Sequence, residues 1–398
     1  MITSLLDTDL YKLTMQQALR RCGIHGQARY SLIQRGRPLM LPHCDFNRLR
    51  QLVDAMALIR LTHSERAYLG ELGYFDDHYL SWLSRYRFDP SEVTLTRDAG
   101  GVLHCEIEGP WERTILWETP LLALISEVAH ESNDDGADLA DFRRRSNEKG
   151  ERLAQLGAQF VDFGTRRRRS FEAQRTALTG MVQTAGNAGF KGTSNLYFAQ
   201  LLNLPVSGTI AHEWIMAHAG LYNVVEADSR ALENWMAVYG PEKTVALTDT
   251  YTLNHFLRNL NADTAEVIKG FRHDSGDPFD FTDKVVSHLR RQGIDPREKV
   301  LVFSDGITVA RAEEILNYVG GRAGVSFGIG TNLTNDFREP PFDIVIKMTS
   351  FDGSPAVKLT DEPGKAVGSP EAVEQVRDEI FAAPLPSAQA MYLARQSA

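Results

Sequence analysis

The chain has 398 residues, 43% apolar and 24% charged, an ordinary globular composition that is long enough for two domains or one barrel with additions. A net charge of −9 argues against nucleic acid as the main partner, because phosphate backbones call for a basic surface. Three cysteines (Cys22, Cys44, Cys105) without disulfide density or zinc spacing fit a reducing cytoplasm. Asp7, Asp9 and Lys12 interrupt the apolar run that a signal peptide needs, and no stretch of about 20 apolar residues is available to span a membrane.

In chain order, residues 1–118 read as a mixed α/β unit. Thr8 and Asp9 can cap a helix running to Arg20, with Tyr11 and Lys12 in its first turn. Residues 46–60 have helical apolar spacing, Thr62 and Glu65 form a capping-box pattern before a further helix, and 75–86 read as a third. Residues 92–96 and 102–108 are strands joined over Asp98-Ala99-Gly100-Gly101, a hairpin signal. Thr119-Pro120 opens an apolar helix to about residue 130.

From about residue 158 short apolar runs alternate with helical patterns. The runs are 159–163, 189–192, 205–209, 244–247, 267–271, 300–303 and 324–327. Strand–helix alternation implies a parallel sheet, and so many units imply a closed or nearly closed barrel. An eighth run, 343–347, either closes the barrel or returns to the first unit, with 356–359 as a hairpin partner around Asp352-Gly353. The expected fold is therefore α/β: an irregular TIM-like barrel of seven or eight parallel strands over 119–345, with an N-terminal mixed α/β domain over 1–118 that 345–398 can complete.

Each run ends in glycine, hydroxyl, carboxylate or arginine, and in a barrel those ends share the rim where such folds keep their active sites. His212, in Ser207-Gly208-Thr209-Ile210-Ala211-His212-Glu213-Trp214, sits where a strand meets a helix, with Glu213 as a candidate to orient its ring or merely to cap. Gly328-Ile329-Gly330-Thr331 offers backbone N–H groups and a hydroxyl suited to a phosphate, and Gly-Thr pairs recur at 164–165, 192–193 and 208–209. Leu333 spoils a dinucleotide fingerprint, and Ala366 after Gly364-Lys365 spoils a Walker A loop. In the run Arg166–Arg169, Arg166 and Arg167 beside Phe163 suit a planar anion, while Arg168 and Arg169 read as a solvated face. Asp274, Asp277 and Asp305 suit ribose hydroxyls or Mg²⁺. Met216 stands where a zinc protease would need its second histidine, and no nucleophile elbow supports a serine hydrolase.

Asp7-Thr8-Asp9-Leu10-Tyr11-Lys12, Asp162-Phe163-Gly164-Thr165-Arg166-Arg167, Gly192-Thr193-Ser194-Asn195, Gly208 to Glu213, Arg272-His273-Asp274-Ser275-Gly276-Asp277 and Phe327-Gly328-Ile329-Gly330-Thr331 together resemble the bacterial nicotinate phosphoribosyltransferase family, in order, over residues 5–365. The resemblance implies formation of nicotinate mononucleotide and pyrophosphate from nicotinate and phosphoribosyl pyrophosphate. It further implies coupling to ATP hydrolysis through phosphorylation of His212, with Mg²⁺. It places Tyr11, Phe163, Arg166, Thr209, Arg272 and Thr331 in the nicotinate and ribose-phosphate pocket, and the family is usually a dimer with a shared active site. Thr193, Ser194, Gly328 and Gly330 join the expected substrate contacts, and Asp274 and Asp305 stand with His212 as catalytic candidates. Tyr11, remote in sequence from the rim, is expected to reach the rim of a neighbouring subunit. Competing readings are a nicotinamide or quinolinate phosphoribosyltransferase, and a non-catalytic phosphosugar-binding barrel.

Overall fold

The computed structural model describes residues 2–132, 138–362 and 364–382. Its strands are β1 (Gln27–Gln34), β2 (Val93–Arg97), β3 (Leu103–Pro110), β4 (Phe160–Asp162), β5 (Phe190–Thr193), β6 (Val245–Leu247), β7 (Gly270–His273), β8 (Val300–Phe303), β9 (Gly324–Ile329), β10 (Ile344–Phe351) and β11 (Ser354–Pro355). They form two sheets.

The first is antiparallel, in the order β11-β10-β1-β3-β2. The expected hairpin is β2–β3, and the Thr62–Glu65 capping box forms at the start of the helix His63–Glu71. The eighth apolar run enters this sheet as β10 instead of closing the barrel. Leu32 faces Ile346 and Tyr30 faces Met348 across the ladder, and Ile344, Ile346 and Met348 are buried at every second position. The chain turns at Asp352 and Gly353, both with positive φ, but β11 lasts two residues. Residues 356–359 then leave the sheet: Lys358 pairs with Val367, and Leu359 donates its N–H to the Thr250 carbonyl at the barrel end.

The second sheet is parallel, in the order β5-β4-β9-β8-β7-β6. It has six strands among the described residues, one fewer than the seven runs expected of it. The missing run, 205–209, makes a single parallel bridge, Val206 to Thr193. Two features stop it from extending. Pro205 has no N–H to give a ladder. Gly192, at φ 107°, presses so close to the Pro205 carbonyl that a Cβ there would lie 1.9 Å from the oxygen. The wall is therefore open between β5 and β6, and the loop leading to His212 occupies that side, with Thr209 reaching Arg272 of β7. The helices Phe171–Thr184, Pro278–Arg291 and Val309–Val319 follow β4, β7 and β8, and a largely continuous core runs under both sheets.

Buried charge joins the two layers. Asp9 occupies the N-cap of the helix Leu10–Arg21, yet its carboxylate caps nothing; it accepts instead from Ser194 Oγ at 2.7 Å. Arg168 is fully buried, with both terminal nitrogens on Asp7 (2.8 and 2.9 Å) and Nε on Glu127 at 2.7 Å. Arg168 and Arg169 are thus interior groups, and the solvated-face reading is corrected: Arg169 is buried against His130, while half-exposed Arg167 pairs with Asp343 at the surface.

Removing one member of a buried ion cluster strands the others, at a cost of about 3–5 kcal/mol. Arg168→Ala is accordingly expected to lower the denaturation free energy by about that amount, read from the denaturant midpoint; a loss below about 1 kcal/mol would mean the cluster is solvated. A second test concerns Asp228, which is 3% exposed with both carboxylate oxygens lacking a hydrogen-bond partner and His255 Nε2 at 3.9 Å. Burial, and then the charge of Asp249, push its pKa from 3.8 up to about 8. The folded state then holds a proton that the unfolded state has released, so stability falls as pH rises between about 4 and 8, by up to about 1.4 kcal/mol per unit. Asp228→Asn should gain melting temperature over the parent at pH 8 and little at pH 4. An offset equal at both pH values would refute this origin.

Candidate active site

The site is assembled where the loop before His212 crosses the first helix. Gly208 makes that crossing close: a Cβ there would lie 3.4 Å from Leu10 Cβ and 3.5 Å from the Tyr11 nitrogen. Leu10 N–H also donates to the Ser194 carbonyl at 2.7 Å. These contacts bring the first turn of the chain to the barrel end, beside a pocket that opens partly to solvent. Tyr11, Glu118, Arg166, His212, Arg272 and Asp274 line it. Tyr11 lines the pocket formed by its own chain and donates to Glu118 Oε2 at 3.3 Å.

His212 is the first residue of the helix His212–Leu221 and is buried. Its Nδ1 lies 3.1 Å from Thr250 Oγ1, while Nε2 has Lys358 Nζ at 2.9 Å, Asp274 Oδ2 at 3.1 Å and Asp249 Oδ1 at 3.6 Å. Lys358 can only donate to Nε2 and the Asp274 carboxylate can only accept from it; the tautomer with the proton on Nδ1, toward Thr250, is the one that takes the lysine's donor. Burial, reinforced by the Lys358 charge, holds the imidazole pKa down at about 4. A neutral ring with an available Nε2 lone pair results. Glu213 does not orient it. That carboxylate is engaged by Lys12 and by Tyr30 OH, the latter at 2.7 Å.

Arg272 on β7 is a brace. Nε donates to Ser304 Oγ, one terminal nitrogen to Thr209 Oγ1 (2.6 Å) and the Ile210 carbonyl, and the other to Asp274 Oδ1 (2.7 Å). Four of its five N–H donors are committed to the scaffold, which holds the Thr209 loop and Asp274 in place. The Phe163 ring lies 5.9 Å from the guanidinium. Gly328 is what admits that ring: a Cβ there would lie 2.3 Å from Phe163 Cδ2. Gly328 thus acts as a floor under an aromatic side chain.

Other sequence candidates lie elsewhere. Thr193 and Ser194 are buried, their hydroxyls bound to Asp162 Oδ2 (2.8 Å) and Asp9 Oδ1, so they fasten the scaffold and do not face the pocket. Asp277 caps the helix Pro278–Arg291 through the N–H groups of Phe279 and Asp280, which removes it as a metal candidate. Asp305 is paired with Lys365 at 2.9 Å. Gly330 and Thr331 turn β9 into the single helical turn Thr331–Thr334, outside the pocket lining. His212, Asp249 and Asp274 hold ligand atoms within 4.8 Å of one another, and Asp249 Oδ1 is buried without a hydrogen-bond partner.

Residues 158–384 match the nicotinate phosphoribosyltransferase (NAPRTase) family, and residues 6–126 match its N-terminal domain. The chain belongs to the nicotinate phosphoribosyltransferase family. A nicotinate phosphoribosyltransferase of Chromohalobacter salexigens is 41% identical over 381 residues, covering 94% of this chain and 97% of that protein. The solved nicotinate phosphoribosyltransferase of Porphyromonas gingivalis superposes with a TM-score of 0.92 at 37% identity, covering 96% of this chain and all of that one. A Saccharomyces cerevisiae structure described as a putative nicotinate phosphoribosyltransferase gives 0.91 at 32%, covering 96% and 99%. As a family member the chain is a phosphoribosyl-transferring enzyme, and the family role is NAD biosynthesis and salvage. The described helices include none long and apolar enough to cross a membrane.

Several site residues escaped sequence reasoning. Lys358 lies 146 residues beyond His212, Glu118 begins the helix Glu118–Ser132 and Lys347 lies within β10, and none of the three belongs to a recognisable sequence motif. Asp249 and Thr250 stood in a strand-end loop, Thr248-Asp249-Thr250, and that position was the available signal. Gly328→Ala tests the floor. The added methyl is expected to push Phe163 off its place beside Arg272, cutting kcat/KM by roughly tenfold or more with a loss of about 1–3 kcal/mol in stability. Full activity in that variant would show that Phe163 has no part in the site.

Proposed function

We propose that this chain makes nicotinate mononucleotide and pyrophosphate from nicotinate and phosphoribosyl pyrophosphate, and that ATP hydrolysis is coupled to the transfer through a phosphohistidine at His212. The observation that carries the reading is the neutral His212 ring on the pocket wall, its Nε2 lone pair beside the Lys358 ammonium. Nε2 attacks the γ-phosphorus of ATP, the P–O bond to ADP breaks and an N–P bond forms. The ring keeps its Nδ1 proton toward Thr250, and Asp274 and Asp249 offset the positive charge that develops on it. Lys358 then faces the new phosphoryl group. Water later cleaves N–P and releases phosphate.

Phosphoribosyl transfer itself needs pyrophosphate to leave and cationic charge on the sugar to be stabilised. In this reading the strand-end carboxylate of Asp274, held by Arg272, serves the second task. Mg²⁺ suits hard oxygen ligands, and Asp249 Oδ1 with Asp274 would hold it against a pyrophosphoryl group, where it would shield phosphate charge. In this reading Gly330-Thr331 at the end of β9, beyond the pocket's own lining, takes the ribose phosphate. A homodimer with a shared active site belongs to the same proposal.

γ-Phosphate-labelled ATP tests the central claim. The parent enzyme should take up acid-labile label, and His212→Asn should take up none while keeping a slow, ATP-independent transfer with a raised substrate KM. Normal labelling of the variant would show that another residue is the acceptor.

A further inference from the structure

Residues 356–362 form a strap that is fastened, residue by residue, to the loop after β6. Lys358 Nζ donates to Asp249 Oδ2 at 2.8 Å, and Leu359 N–H to the Thr250 carbonyl at 2.8 Å. Further on, the Leu253 N–H donates to the Asp361 carboxylate at 2.9 Å. Between these contacts lies Thr360, which reaches the loop through an intermediary. Its hydroxyl donates to Ser275 Oγ at 2.8 Å, and Ser275, buried just after β7, donates in turn to Asp249 Oδ2 at 2.5 Å.

Thr360 holds this place against its own backbone preference. Its φ is 65°, a region that branched side chains enter only with strain, and Thr252 on the facing loop stands at 82°. Such residues persist where their surroundings fix them, and they gather at working sites. Here the surroundings are the neighbours of His212: Thr250 at Nδ1, with Lys358 and Asp249 Oδ1 at Nε2. Asp249 Oδ2 takes both the Ser275 hydroxyl and the Lys358 ammonium, which leaves Oδ1 turned toward the ring. Each hydroxyl in the chain from Thr360 to Ser275 to Asp249 has a single proton, and both protons run toward the carboxylate.

We propose that Thr360 is a positioning residue for the phosphorylation of His212: its hydroxyl, acting through Ser275, orients the Asp249 carboxylate and seats Lys358 at the ring nitrogen. The inference rests on the phosphohistidine reading above and adds the element that sets its geometry. Without the Thr360 hydroxyl, Ser275 loses the donor that aligns it. Asp249 is then free to turn, and the strap keeps Lys358 beside the ring less tightly. The strain at Thr360 means that the strap has no reason of its own to stay in this conformation once that bond is gone.

The test compares Thr360→Val, which keeps the branched side chain and removes the hydroxyl, with Thr360→Ser, which keeps the hydroxyl. Ser275→Ala is made alone and combined with Thr360→Val. Two quantities are read on the full chain: the single-turnover rate of acid-labile label uptake from γ-phosphate-labelled ATP, and the rate of Lys358 acetylation by acetic anhydride, followed by mass spectrometry. Thr360→Val should slow label uptake about tenfold or more, speed Lys358 acetylation about threefold or more, and leave nicotinate binding by calorimetry within about twofold. Thr360→Ser should restore both rates. Ser275→Ala should lose at least as much, and adding Thr360→Val to it should cost little further, because the two act in series. Unchanged Lys358 acetylation in Thr360→Val would overturn the proposal, whatever the enzyme does with ATP. So would a Thr360→Ser variant as impaired as Thr360→Val, or losses that simply add in the double variant. A parent enzyme that takes up no acid-labile label, while Thr360→Val still exposes Lys358, would overturn the phosphohistidine reading and not the placement of the lysine.

Discussion

The burial of Lys12 is the constraint on which the site depends. An ammonium with no exposed surface is tolerable only if its charge is met at close range, and Glu118 and Glu213 meet it from two different elements. Glu118 opens the helix Glu118–Ser132, and Glu213 is the second residue of the helix that His212 begins. One side chain from the first helix therefore sets the distance between the two helices that flank the pocket. The neighbouring Tyr11 follows from the same placement, because it shares the helical turn with Lys12. Lys12 in turn, with Arg166, holds the Glu118 carboxyl down at about 2 against the effect of its burial.

Where the fold was legible, the reason was repetition. Six apolar runs, each closed by a polar strand end, announced a parallel sheet without any knowledge of which strand lies beside which. Pro205 and Gly192 are the local features that reduce the seventh run to a bridge, and both were visible; the closeness of one to the other was not. The run at 343–347 was ambiguous because alternating Ile344, Ile346 and Met348 would suit either sheet. Only its register with Tyr30 and Leu32 decides, and no local pattern encodes a pairing across that separation.

The arginine run shows the limit for side chains. Four adjacent residues of one type look alike in sequence, yet Arg166 lines the pocket, Arg167 meets Asp343 at the surface, and Arg168 and Arg169 point inward to carboxylates and a histidine. A tight turn of 3₁₀ helix over Thr165–Arg167 sends successive side chains in different directions. Similarly, Thr193 and Asp277 have the right chemistry for ligands, but Asp162 and two backbone N–H groups respectively have first claim on them. Strand-end polarity finds the rim. It does not separate groups that hold the rim together from those left free to bind.

The strand order of the first sheet has a consequence for how the protein is made. β10 lies next to β1, and Thr349 donates to the Arg29 carbonyl across 320 residues of sequence. The strap that follows carries Lys358 to His212. During synthesis the leading domain must wait with one flank of β1 unpaired until almost the whole barrel has left the ribosome. Long-range pairings of this kind slow folding, and an open strand edge in the meantime invites pairing with other chains. The enzyme can complete its histidine environment only in the last steps of folding, so a truncated or stalled chain carries the barrel without a finished active site.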